Sequence, residues 1–101
     1  SVWKHGALEF DSATKRVQWH GQPVEMTRRE TALLEVFLRN PARVMSKSQL
    51  IDSLYSWDQA ADRGQESNTL EVFIHNIRRK LAPDVVRTMR GIGYALGPPA
   101  K

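Results

Sequence analysis

The chain holds 101 residues, with 15 Lys plus Arg against 11 Asp plus Glu, and its 41% hydrophobic and 26% charged content excludes a disordered tail. At that length roughly two-thirds of the unfolded chain's surface can be buried, which supports one modest core and excludes a two-domain enzyme. The net charge of +4 divides unevenly: residues 1–74 carry 9 basic and 10 acidic side chains while residues 75–101 carry 6 and 1, so the excess sits in the last quarter, where it suits a polyanionic partner.

Before Thr27 the apolar residues fall two apart in short stretches: Leu8 and Phe10, Val17 and Trp19, Val24 and Met26. Polar turns at Asp11 to Lys15 and Gly21-Gln22-Pro23 separate them, which predicts short strands of an antiparallel meander. Thr27-Arg28-Arg29-Glu30 reads as a capping box, with the threonine oxygen accepting one orphan backbone N–H and the glutamate reaching back to another. The helix it opens carries Leu33, Leu34, Phe37 and Leu38 on one side and ends at Asn40-Pro41, because the residue before proline is pushed out of the helical region. A second box, Ser46-Lys47-Ser48-Gln49, opens a helix expected to bury Leu50, Ile51 and Leu54. A polar connection holding Trp57 runs from Tyr55 to Ser67.

The third helix is predicted from Ser67 or Asn68 to about Leu81, since Leu70, Ile74, Ile77 and Leu81 form one stripe at i, i+4, i+7 and i+11. At 100° per residue the opposite side carries Asn68, Val72, His75, Asn76 and Arg79, with Thr69 and Lys80 on its edge. That face is basic, able to hydrogen-bond, and free of acids, because Glu71 and Arg78 fall on the flank near the body. Past Pro83, Val85 to Arg90 and Tyr94 to Leu96 read as two strands joined at Gly91-Ile92-Gly93, with Arg87 and Arg90 on the hairpin. The tail Gly97-Pro98-Pro99 continues neither strand nor helix.

Strands, three helices and a basic hairpin is the order of a winged helix, whose third helix enters the major groove of DNA. Asn76 has the groups to pair bidentately with adenine, and Val72 suits a thymine methyl. His75, Arg78 and Arg79 are placed for phosphates, which fix register and raise affinity without reading sequence. Arg90 at the hairpin tip suits a narrow A/T-rich minor groove. Taken singly, each feature has a plainer reading: Arg78-Arg79-Lys80 as compensation of the helix dipole, Asn76 as a surface amide, Val72 as packed under the Tyr55 to Ser67 loop. Together they favour nucleic acid.

With no cysteine, disulfides, thiolate metal sites and a thiol nucleophile are excluded. His5, His20 and His75 have no partner at metal-site spacing, nothing resembles a nucleophile elbow or a phosphate loop, and neither an enzyme nor a bound cofactor is expected. No apolar run approaches the ~18 residues of a membrane span and no signal peptide opens the chain, so a cytoplasmic home is expected. The start at Ser1 in place of Met suggests an excised piece.

The stretch SNTLEVFIHNIRRKL followed by VVRTMRGIGYAL resembles the signature of the OmpR/PhoB family of response-regulator DNA-binding domains. Leu8, Asp11, Gly21, Thr27, Glu30, Leu33-Leu34, Asn40-Pro41, Val44, Ser46 and Leu50 match its pattern upstream, so the resemblance runs from about Ala7 to Leu96. LYSWDQ with SNTLEV is most similar to the QseB/PmrA branch. The resemblance implies an α+β winged helix-turn-helix occupying residues 1–101 as a single domain: an N-terminal antiparallel four-stranded sheet, three helices and a C-terminal β-hairpin wing, with a structured core of 7–96 and a tail of 97–101. It implies a receiver domain ahead of Ser1, a cognate sensor kinase, transcription control, a head-to-tail homodimer on direct-repeat half-sites of double-stranded DNA, and RNA polymerase as a partner through the loop holding Trp57, Asp58 and Gln59. Carried over position by position, Glu71, Val72 and Asn76 fall at base contacts, with Arg90 at the minor-groove arginine. His75, Arg78, Lys47 and Thr88 fall at phosphate contacts; Arg79 and Arg87 join them on charge and position.

Two positions depart from the pattern: Phe73 stands where histidine is common, and Ala60 to Glu66 is longer than usual in this branch. The rival from another class is a winged helix that serves protein contacts alone, docking its basic hairpin on an acidic partner.

Overall fold

The computed structural model describes residues 2–55 and 66–99. Four short strands come first, β1 (Val2–His5), β2 (Leu8–Asp11), β3 (Arg16–Trp19) and β4 (Gln22–Val24), paired antiparallel in chain order. Three helices follow, α1 (Arg28–Arg39), α2 (Lys47–Tyr55) and α3 (Glu66–Lys80), and then a hairpin of β5 (Val86–Met89) and β6 (Gly93–Leu96). Met26, predicted with the third stretch of alternation, lies beyond β4. The first strand stands ahead of Ala7 and was not visible as alternation in the sequence; Trp3 pairs with Phe10 across it.

Both predicted capping boxes form. Thr27 Oγ1 accepts from the Glu30 N–H at 3.2 Å while Glu30 Oε1 accepts from the Thr27 N–H at 3.0 Å. Ser46 Oγ accepts from the Gln49 N–H at 3.1 Å and Gln49 Oε1 from the Ser46 N–H at 2.9 Å. At the other end of α1, the Asn40 N–H donates back to the Phe37 carbonyl and Pro41 prevents continuation. Asp11 closes the β2–β3 turn by accepting from the backbone N–H groups of Ala13 and Thr14, and those two donors hold its carboxyl below the usual carboxylate range.

One core joins sheet, helices and hairpin. Leu8 and Phe10 from β2 and Val17 from β3 meet Leu33, Leu34 and Phe37 of α1, Leu50 and Leu54 of α2, Leu70, Ile74 and Ile77 of α3, and Val86 and Leu96 of the hairpin. Ile51 and Leu81, expected inside, are only half-buried at its margin. The α3 stripe is buried on the predicted period, so its opposite side faces outward.

The segment entering α2 pairs with the hairpin as well. Met45 and Tyr94 exchange backbone hydrogen bonds at 2.8 and 2.9 Å, which docks β6 against the α1–α2 connection. Gly93, beside that bridge, lies so close to the Met45 carbonyl that a Cβ would overlap it. At the C-terminal end, Gly97 is buried, donating to the Val85 carbonyl at 2.8 Å and hydrogen-bonded through its own oxygen to His5 Nε2 at 2.7 Å. Sheet, three helices and wing together make this a winged helix-turn-helix.

Candidate nucleic-acid interface

The side of α3 turned from the core presents Glu71, Val72, His75 and Arg79, all exposed. Val72 is 53% exposed, although burial of a valine is favourable wherever the fold provides a place for it. Exposed on a polar face, its methyl groups are available for an apolar contact. Phe73, next to it, turns the other way and packs against the core, so its ring is part of the body.

Glu71 departs from the predicted arrangement. The helical wheel puts it on the flank near the body, leaving the outer face free of acid. Its side chain is 55% exposed and lies 3.9 Å from Lys47 Nζ of α2, whose side chain is 43% exposed. The outward surface therefore includes a carboxylate with a cation from the neighbouring helix beside it.

Asn76 is half-buried. Beneath it lies Glu30, the one buried charged residue among those described, at 2% exposure. Burial works against the charged form of Glu30. Lys80, donating at 2.5 Å and supplying its charge, the Thr27 N–H and the Asn76 amide together outweigh that penalty and hold its carboxyl below the usual range. Asn76, predicted on the outward face, and Lys80, predicted on its edge, are thus engaged with the N-terminus of α1.

Arg78 is engaged too. Its Nε and Nη2 donate to the Val86 carbonyl at 2.9 and 2.7 Å, and Nη2 also donates to Thr88 Oγ1 at 2.8 Å. These bonds clasp α3 to β5. On the wing, Arg87, Thr88 and Arg90 are exposed, and the tip between β5 and β6 adds Ile92 at 61% exposure. Gly91 at the tip takes φ 73°, the left-handed conformation that lets three residues close the hairpin. The structure thus brings Lys47 beside Glu71, and Arg78 beside Thr88, while Arg87 and Arg90 extend the basic surface along the wing. Trp57, Asp58 and Gln59, assigned to a polymerase-contact loop, lie outside the described residues, as do the side chains of Asn68 and Thr69.

No group of three or more His, Cys, Asp or Glu able to hold a metal occurs among the described residues. A surface groove along α1 is lined in part by Lys15, Glu35 and Arg39, where Glu35 accepts from Lys15 and Arg39 at 3.0 Å each. Among the described residues, no helix is long and apolar enough to cross a membrane.

Sequence and structure comparisons bear on this surface. The family described as transcriptional regulatory protein, C terminal, matches residues 21–96. Response regulator protein PmrA of Pseudomonas aeruginosa is 47% identical over 95% of the chain, and transcriptional regulatory protein QseB of Escherichia coli O157:H7 is 38% identical over 93%. The chain spans about two-fifths of the length of these relatives, 42% and 41% respectively. Among solved structures, the DNA-binding domain of CpxR from E. coli superposes with a TM-score of 0.79 at 24% identity, each chain covered to 99%. The Klebsiella pneumoniae RstA DNA-binding domain, solved in complex with the RstA box, gives 0.78 at 21% identity, covering 97% of this chain and 98% of that one. At those identities the two superpositions show the shared fold.

Proposed function

The chain belongs to the family of transcriptional regulatory protein C-terminal domains, of the OmpR/PhoB type, and on that premise we propose that it is the output domain of a two-component response regulator, binding specific double-stranded DNA to control transcription. In this reading α3 lies in the major groove and Arg90 reaches the adjacent minor groove. The observation that carries it is the outward side of α3, where an exposed Val72 stands among polar side chains and adjoins a wing bearing Arg87 and Arg90. A helix of ordinary width fits the major groove, and an exposed valine there meets thymine methyl groups.

The residues divide by role. Glu71 and Val72 reach base edges, and Asn76 does so with the groups of its amide that the bond to Glu30 leaves over; Lys47, His75, Arg79, Arg87 and Thr88 meet phosphates. Arg78 joins them through Nη1, since Nε and Nη2 serve the clasp to β5. Two copies bind head to tail on direct-repeat half-sites about one helical turn apart. The same reading adds a receiver domain, a cognate sensor kinase and RNA polymerase as partners; PmrA, of which the chain spans 42%, is named a response regulator.

Duplex titrations at several salt concentrations test the reading. Log affinity is expected to fall linearly with log salt, at a slope of about −0.9 per phosphate neutralised. A flat response would overturn it and favour an acidic protein as the wing's partner. Asn76→Ala is expected to cost about 1–3 kcal/mol and relax specificity at one position, and Arg90→Ala to weaken binding most on sites with an A/T-rich flank. An equal loss on G/C-rich flanks would return Arg90 to the phosphate contacts.

A further inference from the structure

We infer that Glu71 selects a cytosine in the bound duplex, an assignment that rests on α3 reading the major groove. Glu71 is the one acid among the α3 residues whose side chains are described, and it lies on the outward surface beside Val72. An exposed pair at 3.9 Å adds little to stability, so the contact with Lys47 gives folding no reason to keep a carboxylate there. Against a polyanion that carboxylate is unfavourable unless it meets a hydrogen-bond donor.

The major groove narrows the choice. An ionised carboxylate only accepts, and the donors presented there are the amino groups of cytosine and adenine. Adenine places the N7 lone pair beside its amino group, which repels the second carboxylate oxygen. Cytosine has no acceptor in that position. Guanine and thymine present acceptors alone and exclude Glu71 altogether. Lys47 lies 3.9 Å from Glu71 in the free domain and, on binding, exchanges it for a phosphate while the carboxylate turns to the base.

Selection from a randomised duplex library with the 101-residue chain, followed by titration of the selected site and of random-sequence duplex, tests this. The wild-type chain is expected to demand cytosine at one position, with about 10-fold or greater loss on replacing that base pair. Glu71→Ala is expected to abolish the preference at that position alone while binding random duplex more tightly, because a negative charge has been removed. Glu71→Gln is expected to move the preference to adenine, whose N6 and N7 suit a side-chain amide. A selective wild type whose preferences survive Glu71→Ala at every position, or a Glu71→Ala variant weakened equally on all duplexes, would overturn the cytosine assignment. A wild type with no selectivity would overturn the reading by α3 itself.

Discussion

Gly93→Ala is expected to destabilise the domain by about 3 kcal/mol, at the upper end of overpacking costs, because backbone on both sides prevents relief. The new Cβ would overlap the Met45 carbonyl oxygen and come within 2.9 Å of Ser46 Cα. Both belong to the segment that caps α2 and bridges to Tyr94, so the clash acts on the seat of the wing and the start of α2 together. Gly91→Ala is the control: a Cβ there meets nothing within 4 Å, and its φ of +73° leaves only the left-handed conformation to bear, about 1 kcal/mol. Urea unfolding of both variants separates the effects. Equal losses would show that backbone angle, and not close approach, demands glycine at position 93.

Lys80→Met is expected to lower stability near neutral pH by about 2 kcal/mol, less than the loss on breaking a fully buried pair because Lys80 is a third exposed. The variant leaves the Glu30 carboxylate buried with only Thr27 and Asn76 to hold its charge. Glu30 titrates below its usual range in the folded chain, so its contribution is present above the unfolded value of about 4.3 and is lost as pH falls through the lower folded value. The gap between wild type and Lys80→Met should therefore close as the pH is taken below that range. Unfolding curves that stay parallel down to about pH 3 would show that Lys80 stabilises the fold by something other than the charge of Glu30.

What was legible in the sequence is the chemistry that acts over a few residues. The two capping boxes located the starts of α1 and α2 because side chain and backbone partners lie three positions apart. Leu70, Ile74 and Ile77 marked the inner side of α3 by their period. The first strand escaped because Val2 and Lys4 are its outward residues and Trp3 and His5 its inward ones, an alternation with one large apolar side chain. On the site, spacing placed Val72, His75 and Arg79 outward. It could not show that Arg78 turns back to Val86, or that Glu30 lies under Asn76 and Lys80, since those partners are distant in the chain. The wheel sets Glu71 on the flank near the body, whereas its side chain is exposed beside a lysine that only packing of α2 on α3 brings near.

The Met45–Tyr94 bridge and the Arg78 clasp hold the wing at two points, one on the approach to α2 and one on α3. Helix and hairpin then behave as the two fixed jaws of a calliper. In the proposed complex the gap between them is set before DNA arrives, so the domain gauges groove spacing as well as base identity. In that complex an overwound or underwound duplex carrying every preferred base is expected to fit poorly.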